Sequence, residues 1–256
     1  MPRPETITSA ANPLVKDVRR AAARGGLTRD GLAVAETFHL LEEALRSGRD
    51  VPFVLAAESV ERSLGKLRGG KIVILPDPLL QSVSGTEASQ GVIALVRPPE
   101  WTLDDVFGAR PLVVLLDGMQ DPGNAGTIVR SAEAFGATGV VFLPGSVSPH
   151  NPKTLRASAG SLFRLPYVSG VAAESVRRPG VPLYAAVAGG RRKLTDVDLA
   201  APAALIIGNE ARGVSPELRS GAIDISIPTA GVESLNAAAA ATVLLYEASR
   251  QRALRP

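Results

Sequence analysis

Three short stretches hold most of the residues with chemical capability in this chain. They are Asn124-x-Gly126-x-x-x-Arg130, Gly208-Asn209-Glu210-x-x-Gly213, and Ile227-Pro228-Thr229-x-Gly231-x-x-Ser234-Leu235-Asn236. Among their residues are Arg130, Glu210, Ser234 and the asparagines Asn124 and Asn236. None is a strong nucleophile as it stands, which argues against covalent hydrolase chemistry. The set suits positioning and charge stabilisation instead. Blander roles exist for single members: Asn124 and Ser234 are good helix caps, and Glu210 between glycines suits a turn. With no cysteine and two histidines, His39 and His150, the chain has no thiolate site and no basis for a zinc centre.

Each stretch needs an element to hold it. The apolar run 112–116 reads as a strand buried on both faces. It empties into the turn signal Asp121-Pro122-Gly123-Asn124, and from Gly126 a helical pattern runs to Phe135 and stops at Gly136. Strands are expected at 139–143, 181–186, 203–207 and 223–227, with helices over 151–159 and about 234–252. All three polar stretches follow strands, so they should share the carboxyl edge of one parallel sheet. Upstream, Asn12-Pro13 opens a helix to Arg24, and Thr37 caps a second through Ser47 that carries His39. Strands at 31–35, 51–57, 71–75 and 91–96, a helix at 59–68 and a helical turn from Asp77 complete a small α/β unit. Pro98-Pro99 marks a linker. The expected domains are 1–97, a linker over 98–110, and 111–256.

At 256 residues, 45% apolar and 21% charged, the chain can bury a substantial core. No apolar run is long enough for a membrane span, and the default location is the cytoplasm, although the basic start could also suit a transit peptide. Net charge is only +3, but residues 151–195 hold eight basic side chains against Glu174 alone. Such a block suits a polyphosphate partner, with Lys153, Arg156, Arg191, Arg192 and Lys193 as candidate phosphate-binding residues and His150 nearby. Glycine signatures for dinucleotides and for phosphate loops are both missing, so a nucleotide-dependent oxidoreductase is disfavoured.

The three stretches resemble the three ordered motifs of the SpoU/TrmH-type RNA 2′-O-ribose methyltransferases: Asp117-Gly-Met-Gln-Asp-Pro-Gly-Asn124 through Gly136, Leu205-Ile-Ile-Gly-Asn-Glu-Ala-Arg-Gly213, and Ile227-Pro through Ser234-Leu-Asn236. Residues 5–97 are similar to that family's ribosomal-protein-like αβα substrate domain, and Asn151–Gly160 is most similar to members acting on large-subunit ribosomal RNA. The resemblance implies S-adenosylmethionine as methyl donor, a trefoil knot in the parallel-sheet α/β domain, and a homodimer through that domain. It implies no metal and no membrane. Gly208, Ile227 and Leu235 would hold the cofactor, while Asn124, Arg130, Glu210, Ser234 and Asn236 would form the catalytic rim. Arg130 is often given the role of base in this family. A guanidinium with a pKa above ~12 suits a phosphate clamp better. The substrate is expected to be 23S ribosomal RNA, with transfer RNA or a non-catalytic RNA-binding role as alternatives. Two positions depart from the family pattern: Thr229 stands where Met is usual, and Ala237-Ala238 where Val-Ser is usual.

Overall fold

A computed structural model describes residues 4–65, 69–85 and 89–255. These residues form two compact units. One runs up to Glu100 and adds His150–Arg164; the other is Trp101–Pro149 with Leu165 onward.

In the first unit the elements follow as β1 (Glu5–Thr6), α1 (Pro13–Arg24), β2 (Ala33–Glu36), α2 (Phe38–Arg46), β3 (Phe53–Ala57), β4 (Lys71–Leu75), α3 (Asp77–Val83) and β5 (Val92–Val96). The sheet order is β1-β4-β3-β5-β2, with β5 antiparallel to both of its neighbours. The two capped helices expected from Asn12-Pro13 and Thr37 form as read, each with its cap side chain accepting a backbone N–H. The segment expected as an α-helix at 59–68 is a 3-10 helix over Glu58–Leu64, and residues 66–68 lie outside the described residues. The core joins Val15, Val18 and Ala21 of α1 to Leu55, Val73, Leu75, Ile93 and Leu95 of the sheet.

The second unit begins with α4 (Leu103–Phe107), inside the stretch expected to be linker. Thr102 and Asp105 form a reciprocal capping box there, which allows a single turn and a half of helix to hold. Next come β6 (Leu112–Asp117), α5 (Pro122–Ala134) and β7 (Gly139–Phe142). The chain then crosses into the first unit, where α6 (Pro152–Ser158) lies, and returns at β8 (Tyr167–Ser169). The remaining elements are β9 (Leu183–Ala186), β10 (Arg192–Lys193), β11 (Ala203–Gly208), α7 (Pro216–Arg219), β12 (Ile223–Ser226) and α8 (Ala237–Ala253). The seven strands are ordered β10-β12-β9-β11-β6-β7-β8 and every pairing is parallel. The central strands β6 and β11 are buried on both faces, as the near-continuous apolar runs required. Their register sets Gly208 beside Asp117, so the first and second polar stretches leave the sheet side by side.

The excursion His150–Arg164 is the main difference from the domain boundaries read by chain order. A linear reading keeps it with the methyltransferase-like half, but its partners are Glu36 and Glu43, more than 100 residues upstream. Among the described residues no helix is long and apolar enough to cross a membrane.

Candidate active site

Helix α5 starts four residues earlier than its apolar pattern indicates. Asp121 is the N-cap, accepting the Asn124 N–H at 2.6 Å, and Pro122 takes the first helical position. Asn124 is therefore not a cap, and its side chain is free for other work. Its Nδ2 donates to Glu210 Oε1 at 2.8 Å, and its Oδ1 accepts from Asn236 Nδ2 at 3.1 Å. One residue from each polar stretch thus joins a single hydrogen-bonded chain, Glu210–Asn124–Asn236. Asn236 also caps α8, its Oδ1 accepting from Ala238 and Ala239 at 2.9 and 3.2 Å. The cap expected of Ser234 falls to Asn236, two residues on.

The second stretch is a tight hairpin. Asn209 and Gly213 exchange backbone hydrogen bonds at 3.0 and 2.8 Å. Asn209 Nδ2 reaches the Gly118 carbonyl at 2.9 Å, and Asp117 Oδ2 accepts the Ser215 N–H at 2.6 Å, tying the first two stretches together twice. Gly208 must be glycine: a Cβ there would lie 2.3 Å from Gly213 C and 2.4 Å from Val214 N. In the third stretch, Thr229 Oγ1 donates to the Val232 carbonyl at 2.8 Å, so the hydroxyl that replaces the family's usual Met closes the loop.

Between the second and third stretches lies a cleft of about 820 Å³. Ile207, Gly208, Ile225, Ile227, Leu235 and Leu244 supply its apolar and backbone-rich walls, and Glu210, Ser234 and Asn236 stand at its polar side. The end of β9 and the residues after it, Ala186–Gly189, form another wall, which the three polar stretches do not include. The signal for it was available, because β9 is one more parallel strand whose loop must open at the same edge. Arg219 also lines the cleft, but its guanidinium is held by both Asp224 oxygens, at 3.1 and 2.6 Å. On the other side of the hairpin, a second cleft of about 510 Å³ is lined by Gly118, Gly145, Glu174 and Glu217. A hydrogen bond and the charge of Glu174 push the Glu217 carboxyl above the usual range.

Arg130 stands apart from the cleft lining. It is exposed on α5, without an ion pair among the described residues. Six residues separate it from Asn124, about 9 Å along the axis and well round the helix. The basic block is also divided. Lys153 is exposed, while Arg156 pairs with Glu36 at 3.1 Å. Arg177 donates to the Glu217 and Ser220 carbonyls, and Arg178 pairs with Asp104. Arg191, Arg192 and Lys193 are exposed and hold no ion pair among the described residues. Burial pushes His150 down to about 4, so it is neutral near pH 7 and adds no positive charge. His39 is exposed on α2, within the first unit. No group of His, Cys, Asp and Glu among the described residues could hold a metal ion.

The SpoU rRNA methylase family model matches residues 111–246, and an MRM3-like substrate-binding domain model matches 12–94. The chain belongs to the SpoU rRNA methylase family. The Bacillus subtilis 23S rRNA (guanosine(2553)-2′-O)-methyltransferase RlmP is 32% identical over 245 residues, spanning 94% of this chain and 97% of the relative. A Streptomyces viridochromogenes 23S rRNA (uridine(2479)-2′-O)-methyltransferase is 38% identical over 201 residues, or 74% of this chain and 70% of that one. The crystal structure of the SpoU methyltransferase AviRb from the same organism, in complex with AdoMet, superposes with a TM-score of 0.80 at 32% identity, covering 95% and 100% of the two chains.

Proposed function

We propose that this protein transfers a methyl group from S-adenosylmethionine to a ribose 2′-hydroxyl of ribosomal RNA. The observation that carries this reading is the Glu210–Asn124–Asn236 chain, whose two ends, Glu210 and Asn236, line a cleft between the second and third stretches. At about 820 Å³ the cleft lies within the usual range for small-molecule sites. Its glycine cradle at Gly208 and apolar Ile207, Ile225, Leu235 and Leu244 suit a ligand that combines a flat base with a short polar chain.

When bound, S-adenosylmethionine supplies a methyl carbon activated by a positively charged sulfur. The rest is alignment by the chain. Gly208, Ile227 and Leu235 hold the donor through backbone groups and apolar contact. Glu210 fixes the rotamer of Asn124, which with Asn236 and Ser234 orients the attacking hydroxyl. The Glu210 oxygen not bonded to Asn124 would accept the hydroxyl proton, while the donor's sulfur would leave as a neutral thioether. Arg130 clamps a neighbouring phosphate, a task for which a permanently charged planar fork is suited. Exposed Lys153, Arg191, Arg192 and Lys193 add sequence-independent attraction to the backbone.

The same reading includes a trefoil knot and a homodimer. The knot is supported by β11 lying between β6 and β9, with α8 returning to pack on α5 through Ser131–Thr242 at 2.8 Å and Phe135 edge-on to Tyr246 at 5.8 Å. The dimer is supported by exposed Ala239, Val243 and Tyr246, which recur at helical spacing on α8. Ala238 and Ala241 of the same helix are buried in the protein's own core and lie outside that stripe. A ribosomal RNA substrate calls for a cytoplasmic protein. Competition between 23S ribosomal RNA and transfer RNA for labelled methyl transfer tests the substrate. A clear preference for ribosomal RNA is expected, and equal or greater transfer to transfer RNA would overturn that part of the reading.

A further inference from the structure

The excursion His150–Arg164 carries three of the basic residues that charge patterning assigns to a polyphosphate partner, yet two of them face buried acids. Glu36, 3% exposed at the end of β2, accepts from Arg156 Nη1 at 3.1 Å and from the Gly85 N–H at 2.5 Å. Glu43, 8% exposed on α2, accepts from Arg164 Nη1 and from Arg46 Nη1, each at 2.5 Å. The packing around these pairs leaves no slack. Gly160, at φ +91°, has Glu43 Cβ 2.6 Å from where its own Cβ would be, and Asn151 Nδ2 stands as close to the missing Cβ of Gly25. Thr154 and Ser158 of α6 are fully buried.

A buried carboxylate without its partner is strongly destabilising. Arg156 therefore cannot turn to a phosphate without leaving Glu36 only the Gly85 N–H, and Arg164 cannot without leaving Glu43 to Arg46 alone. A pair that is already neutralised also releases few counterions when RNA binds. We propose that Arg156 and Arg164 are positioning residues: with Glu36 and Glu43 they lock the excursion into the RNA-binding unit as part of its own fold, and they do not grip RNA. The proposal rests on the reading of this chain as an RNA methyltransferase. It makes the substrate-binding unit incomplete without a segment that the chain supplies between β7 and β8 of the methyltransferase unit.

The test uses the full chain and turns on a sign. If Arg156 gripped phosphate, Glu36→Gln would release it and tighten RNA binding. A lock requires Glu36→Gln and Arg156→Met to act alike. Each should raise KM for RNA at least fivefold, keep kcat within about twofold, and leave S-adenosylmethionine affinity and the salt dependence of RNA binding unchanged. Arg156→Lys should recover most of the deficit. The double variant Glu36→Gln/Arg156→Met, which leaves no charge unpaired, should melt closer to wild type than either single variant. Tighter RNA binding by Glu36→Gln overturns the proposal. So does a salt slope that falls by about one in Arg156→Met, or additive destabilisation in the double variant. The melting cycle needs no substrate. If the wild type transferred no methyl group to RNA, the functional reading would fail while the lock could still be judged.

Discussion

The proposed donor cleft and the basic segments solve opposite problems. Around the cleft the polar side chains are short and tied to one another: Asn124 to Glu210 and Asn236, Asn209 to Gly118, Thr229 to Val232. Gly208 leaves no room for a methyl group. On the basic segments the side chains are long and either exposed, as at Arg191–Lys193, or bound to acids, as at Arg156 and Arg164. Short, mutually bonded groups fix atoms to a fraction of an ångström, which methyl transfer requires. Long exposed charges give affinity that is tolerant of position and sensitive to salt. The two regions should therefore fail differently when altered.

The largest effect is expected at Gly208→Ala, whose methyl group would collide with the Gly213 and Val214 backbone. Calorimetric titration should show S-adenosylmethionine affinity reduced at least a hundredfold; an unchanged affinity would remove Gly208 from the cofactor cradle. Arg130→Lys comes next, with kcat/KM for RNA at least tenfold lower if two parallel hydrogen bonds to phosphate are needed, and near-normal turnover if the clamp is wrong. Asn236→Ser keeps an oxygen to cap α8 but loses the amide that reaches Asn124. Turnover should fall about tenfold while thermal unfolding moves little. A large drop in stability with normal turnover would make Asn236 only a cap, worth ~1 kcal/mol. The smallest change in turnover is expected on replacing Arg191, Arg192 and Lys193 with alanine: RNA affinity drops at low salt and its salt slope flattens by roughly 0.7–0.9 for each phosphate no longer neutralised. An equal drop at every salt concentration would place these residues with the cleft instead.

Much of this contrast was legible in the sequence because it depends on local pattern. Strands β6 and β11 are continuous apolar runs, and the loops that follow parallel strands must share an edge. Asn12-Pro13 and Asn151-Pro152 were readable as helix starts. Asp121-Pro122 works the same way, but the glycine and asparagine after it made the segment look like a turn. Two kinds of information were out of reach. Short elements such as α4 and β8 carry too few residues for a period to show. The partners of Arg156 and Arg164 lie 120 and 121 residues away, and charge patterning along the chain cannot tell a paired arginine from a free one. The proposed knot has no sequence period of its own and rests on the family resemblance.

The central claim is that the three joined loops deliver a methyl group to a ribose oxygen. A 2′-O-methyl group removes the nucleophile that alkali needs to cleave the adjacent phosphodiester. Incubating the protein with methyl-labelled S-adenosylmethionine and 23S ribosomal RNA, followed by complete alkaline hydrolysis, therefore reads the claim directly. The expected result is label confined to alkali-resistant dinucleotides, abolished by Gly208→Ala. Label appearing in mononucleotides would place the methyl group on a base and contradict the account.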